Sequence, residues 1–114
     1  MTRATKRGKD GKPVITEKQF MAQIKKVALL TGWKFYHTYD SRRSDPGFPD
    51  CVMVHPQKHR MIILELKTEK GLLTPAQREW VYAFDRLEER LFPVFRFRLL
   101  RPSDFDWIVE ELKR

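Results

Sequence analysis

A chain of 114 residues with 41% hydrophobic side chains points to one domain able to bury its own core. Its 23 Lys and Arg against 15 Asp and Glu leave a net charge of +8, which draws it to polyanions, and no apolar run approaches the ~18 residues that span a bilayer. The single cysteine, Cys51, excludes an internal disulfide, and the N-terminus lacks the apolar stretch of a signal peptide, so a cytoplasmic location is expected.

Residues 1–15 hold Arg3, Lys6, Arg7, Lys9 and Lys12 against Asp10 alone, half of the excess charge. They read as a flexible basic arm, or as a solubilising tail, ahead of a folded domain over residues 16–114. Thr16 opens a helix to Leu30: it is a good N-cap, Gln19 completes a capping box, and Phe20, Ile24, Val27 and Ala28 keep helical spacing before Gly32. Glu17 shares a face with Met21, Ile24 and Ala28, and a carboxylate in this first turn also complements the helix dipole. The alternation over Trp33–Tyr39 predicts a strand. Asp40–Pro49 is a loop whose Arg42 and Arg43 either touch phosphate or face water.

Cys51–His55 and Met61–Lys67 predict two apolar strands joined as a hairpin by Pro56–His59. A second helix starts near Pro75, with Thr74 as N-cap, Gln77 in another capping box, and Trp80, Val81, Phe84 and Leu87 as its apolar stripe. Val94–Leu100 alternates Phe95 and Phe97 with Arg96 and Arg98, a strand with one basic face that meets nucleic acid or simply water. Ser103 caps a last helix carrying Phe105, Trp107, Ile108 and Leu112. Trp80, Phe84 and Trp107 read as core. The order implies an α/β domain with one central mixed sheet, the third and fourth strands joined by a helical crossover.

The chemistry concentrates at Pro49-Asp50 and Glu65-Leu66-Lys67. Side chains alternate along a strand, so Glu65 and Lys67 share a face, roughly 7 Å apart at the α-carbons, while Ile62, Leu64 and Leu66 take the other. Pairing the hairpin brings Asp50 beside them. Two carboxylates and an ammonium suit phosphodiester hydrolysis: carboxylates bind hard divalent cations, the cation activates water, and the lysine neutralises developing charge or handles the water's proton. A surface salt bridge is the plain alternative. Against it, a Glu and a Lys inside so apolar a strand are costly unless paired or functional. His37, His55 and His59 show no metal-ligand spacing.

These residues resemble the PD-(D/E)XK nuclease signature. The wider set is similar to the VRR-NUC branch, the virus-type replication and repair nuclease domain. It comprises Glu17, Gly47-Phe48-Pro49-Asp50, Glu65-Leu66-Lys67-Thr68, Gly71, Gln77 with Trp80, and Arg101-Pro102. The resemblance implies a restriction-endonuclease-like mixed sheet flanked by helices. It implies that Asp50, Glu65 and the Leu66 carbonyl bind Mg²⁺, with Mn²⁺ able to substitute, and that Lys67 orients or activates the water. Glu17 would reach the metal directly or through water, and Gln77 would help order the site. Standalone members from phages and bacteria are of this size. That implies a homodimer cutting branched DNA such as four-way (Holliday) junctions. A flap or other branched-duplex nuclease, a non-cleaving nucleic-acid-binding module and a subunit of a replication-repair complex are the alternatives.

Overall fold

The computed structural model describes residues 14–39 and 45–114, so most of the basic arm, Arg42 and Arg43 lie outside the described residues. Helix α1 is Glu17–Leu30, followed by strands β1 (Lys34–His37), β2 (Cys51–His55) and β3 (Arg60–Leu66). Helix α2 (Pro75–Leu91) leads to β4 (Phe95–Leu100), and a 3-10 turn at Pro102–Asp104 leads to α3 (Phe105–Lys113). Both capping boxes form. Thr16 and Thr74 each accept the N–H of the glutamine three residues on, and each glutamine's amide oxygen accepts the threonine's N–H. Each such cap is worth about 1 kcal/mol.

The sheet order is β1-β2-β3-β4. β1–β2 and β2–β3 are antiparallel, and the α2 crossover makes β3–β4 parallel. This is the expected mixed α/β sheet. β3 is central and covered on both faces. Ile62, Leu64 and Leu66 pack with Phe20, Ile24 and Ala28 of α1 and Ile108 and Leu112 of α3. Ile63, Phe95 and Phe97 pack under Val81 and Phe84 of α2. No residue of α2 is fully buried, and Leu87 stays 43% exposed, so the predicted stripe covers the sheet only along Val81 and Phe84. Trp80 and Trp107, read as core, are half-buried.

Several predicted boundaries shift by a residue or two. β1 is shorter at both ends, because Trp33 turns its indole into the core to donate to the Leu112 carbonyl at 2.8 Å, and Thr38 ties instead to the Asp50 and Pro49 carbonyls. β3 ends at Leu66, although the Lys67 N–H still donates to the Leu100 carbonyl at 3.0 Å. Ser103 does not cap α3; its N–H and hydroxyl both donate to the Glu69 carboxylate.

At the other end of β3 from Glu65, charged residues form a network centred on Glu111. Arg60 and Arg96 both bond the buried Glu111, and Arg96 also donates to Glu88 at 2.7 Å. The Arg96 guanidinium lies over the Phe92 and Trp107 rings, and Arg98 lies 4.1 Å over Trp107. The expected basic face of β4 is therefore turned inward onto α3, with Arg96 held by two carboxylates. Glu111→Ala leaves two arginines without their shared partner, a loss expected to cost about 3–5 kcal/mol. Urea unfolding should show this as a lower midpoint at unchanged slope.

Candidate active site

The β2–β3 register pairs Cys51 with Leu64, so Asp50, one residue before β2, stands opposite Glu65. Asp50 is held from the backbone: one carboxylate oxygen accepts the Leu66 N–H at 2.7 Å. Glu65 is 2% exposed and lies on the Ile63 face of β3, toward α2. Its carboxyl accepts a hydrogen bond from the Gln77 side-chain amide at 3.3 Å. The same Gln77 amide oxygen caps Thr74, so this residue closes the helix and touches the site at once.

Burial pushes the Glu65 carboxyl up to about 9, helped by the hydrogen bond that its protonated form donates to Asp50 and by the charge of Asp50; Lys67 pulls it back, and Glu17 adds a smaller upward push. Without a cation the two facing carboxyls are thus driven to keep a proton at neutral pH. A divalent ion relieves such a pair by replacing the proton, so the donor set fits a hard cation. Asp50 and Glu65, with the Leu66 carbonyl directly after Glu65, are the residues able to hold it. Glu17 is exposed at the start of α1, and among the described residues no three His, Cys, Asp or Glu side chains gather as a metal cluster. The Glu17 charge adds to the upward push on Glu65.

The loop that delivers Asp50 is pinned to the start of α2. The Trp80 indole donates to the Pro46 carbonyl at 3.1 Å, and the Phe48 ring packs edge-on to Trp80 with centroids 5.0 Å apart. Gly47 has φ +82° and sits so close to α2 that a Cβ there would lie 2.5 Å from the Ala76 carbonyl carbon. The sequence alone does not give Trp80 and Gly47 this duty. The loop's Gly-Phe-Pro-Asp order ahead of a helix bearing Trp80 is the signal that carries it.

Three other reactive side chains have structural surroundings. Burial, then the charges of Asp50 and Glu65, push the Cys51 thiol far above its usual range, so it is no nucleophile. His55 accepts the Lys58 N–H, stands 3.2 Å from the Thr31 carbonyl and packs edge-on to Trp33. The His37 ring lies tilted against Tyr39, centroids 4.0 Å apart.

No curated protein matches this chain at a significant level. Among solved structures it is similar to Hjc of Archaeoglobus fulgidus, described as a Holliday junction resolvase from an archaeal hyperthermophile, at 20% identity and a TM-score of 0.42. That likeness covers 75% of this chain and 65% of Hjc, so the chain spans just under two thirds of that protein's length. The VRR-NUC domain model matches residues 8–97, starting inside the basic segment and taking in Asp50, Glu65, Lys67 and Gln77. With that match over most of its length, the chain belongs to the VRR-NUC domain family.

Proposed function

We propose that this nuclease domain is a divalent-metal-dependent endonuclease that hydrolyses phosphodiester bonds in branched DNA. The observation that carries the reading is the facing pair of half-buried Asp50 and buried Glu65 at one end of β3, with Lys67 two residues on. When bound, Mg²⁺ or Mn²⁺ supplies Lewis acidity toward the phosphate and a water of lowered pKa. The chain's own residues do the rest. Asp50 is fixed by the Leu66 N–H, and Gln77 fixes Glu65, so both carboxylates hold one geometry. Lys67 neutralises charge developing on the phosphate oxygens and orients or takes a proton from the attacking water. Glu17, at the rim, adds to the negative field that retains the cation.

The net charge of +8 favours a polyanionic substrate, and the basic residues of the arm add contacts to phosphate without regard to sequence. Each chain carries one such site. Two symmetric cuts in a four-way junction need two, so we infer that the working form is a homodimer and the preferred DNA a junction. The test is cleavage of end-labelled four-way junction, flap and linear duplex of matched sequence, with Mg²⁺, Mn²⁺ or EDTA. Paired symmetric cuts in the junction, faster than in the duplex and absent in EDTA, are expected. Equal rates on all three would remove the branched-substrate reading. Salt-sensitive binding without any cleavage would favour a binding module or a partner-dependent subunit.

A further inference from the structure

Lys67 has a flexible four-carbon stem and must present its ammonium at one place. The strand ends beneath it: the last ladder contact is its own N–H to the Leu100 carbonyl. The chain then folds back through Thr68–Gly71, a turn closed by the Gly71 N–H to the Thr68 carbonyl at 3.1 Å. Gly71 returns so close that a Cβ there would lie 3.0 Å from the Thr68 hydroxyl and 3.4 Å from Cδ of Lys67. This turn is a wall against the lysine's stem.

One side chain holds the wall in place. Nη1 of Arg101, just past β4, donates to the carbonyls of Thr68 at 2.6 Å, Glu69 at 3.0 Å and Gly71 at 2.9 Å. Three carbonyl dipoles converge on one cationic nitrogen, an arrangement that needs the cation to persist. Arg101 is itself anchored, its N–H donating to Asp104 at 2.9 Å. The Glu69 carboxylate ties the turn a second time, through the Ser103 N–H and hydroxyl.

We propose that Arg101 is a positioning residue for Lys67: it holds the Thr68–Gly71 turn against the lysine's stem and so sets where the ammonium stands relative to Asp50 and Glu65. This rests on the reading of Lys67 as part of the hydrolytic site. Loss of the clamp lets the turn lift, and a displacement on the order of 1 Å at a reacting group is worth about a hundredfold in rate. An ammonium offers three donors for three carbonyls, so lysine at this position restores most of the clamp whereas glutamine does not.

The experiment is single-turnover cleavage of a labelled junction in saturating Mg²⁺ by the parent, Arg101→Gln, Arg101→Lys and Lys67→Ala, with DNA affinity measured in parallel in Ca²⁺. Arg101→Gln is expected to cleave roughly 10–100-fold slower at an affinity within about twofold of the parent, and Arg101→Lys to recover most of the rate. A merely structural arginine would not split rate from binding in this way. Should Arg101→Gln fail to fold, Gly71→Ala carries the test. It leaves Arg101 untouched but crowds the Thr68 hydroxyl within the turn and adds a methyl in contact with the Lys67 stem, and is expected to slow cleavage several-fold (about 1 kcal/mol of transition-state stabilisation). Parent-like rates in the folded clamp variants, with Lys67→Ala inactive, would overturn the positioning role alone. A parent-like rate in Lys67→Ala would overturn the role of the lysine, and with it the role of Arg101.

Discussion

Glu65→Ala is expected to slow cleavage roughly a thousandfold or more while leaving DNA affinity within a few-fold of the parent. A carboxylate of a two-carboxylate site contributes to holding the cation, whose catalytic worth is several kcal/mol, and about 1.4 kcal/mol corresponds to each tenfold in rate. Asp50→Ala should match it, because Asp50 faces Glu65 across the hairpin and no third His, Cys or acidic side chain among the described residues is grouped with them to take over. Affinity is spared because the contact with phosphate comes from the basic surface.

The same position should respond in the opposite sense in stability. Glu65 has an ordinary carboxyl value of 4.5 in the unfolded chain, against about 9 in the folded, metal-free protein. Between these values the folded state keeps a proton that the unfolded state releases. The fold is therefore most stable, with respect to this group, below 4.5, and loses stability as pH rises toward 9. Glu65→Gln cannot ionise, yet its amide can donate to Asp50 and its oxygen can still accept from Gln77. In EDTA at pH 8 it should melt above the parent, with the difference closing near pH 4. Equal melting at pH 8 would mean that Glu65 is ionised without metal. Saturating Mg²⁺ should raise the parent's melting temperature and not the variant's, by mass action on the folded state.

Gly47→Ala is the second large effect. A methyl there would stand 2.5–2.6 Å from the Ala76 carbon and oxygen and the Gln77 nitrogen, all backbone atoms that cannot swing aside. The φ of +82° adds strain that only glycine escapes, of order 1–3 kcal/mol. The loop must lift from α2. That moves Asp50, three residues on, and loosens the seat of Gln77, the partner of Glu65. Cleavage should fall about a hundredfold along with stability. Gly32→Ala is the matched control. It shares a positive φ, +92°, and its Cβ would crowd His55 Nε2 at 2.9 Å, but it touches no site residue. It should lose stability while the folded fraction cleaves at the parent's rate. Similar losses of rate per folded molecule in both would contradict the loop's role.

The parts of the fold legible in the sequence were those set by local rules. Capping boxes at Thr16 and Thr74 need only residues three apart, and the period-two pattern of β3 already separated Glu65 and Lys67 from Ile62, Leu64 and Leu66. Counting back along the hairpin was enough to set Asp50 against Glu65. What was not legible depends on partners distant in sequence. The alternation of Arg96 and Arg98 looks like a wet basic face until α3 brings Glu111 and Trp107 over it and α2 brings Glu88. Trp33 reads as the start of a strand because nothing local announces a Leu112 carbonyl to receive its indole. Ser103 looks like a cap until the turn after β3 offers Glu69. The sequence places Gln77 both in a capping box and near the site, and its amide serves both, the oxygen capping Thr74 and the nitrogen donating to Glu65.

The most direct measurement is cleavage of one labelled four-way junction by the parent and Glu65→Ala, each in Mg²⁺ and in EDTA, with binding followed in the same samples. Cutting by the parent in Mg²⁺ alone, lost in Glu65→Ala at unchanged binding, is the predicted result. Cutting that persists in EDTA, or that survives in Glu65→Ala, would contradict a metal-dependent nuclease built on Asp50, Glu65 and Lys67.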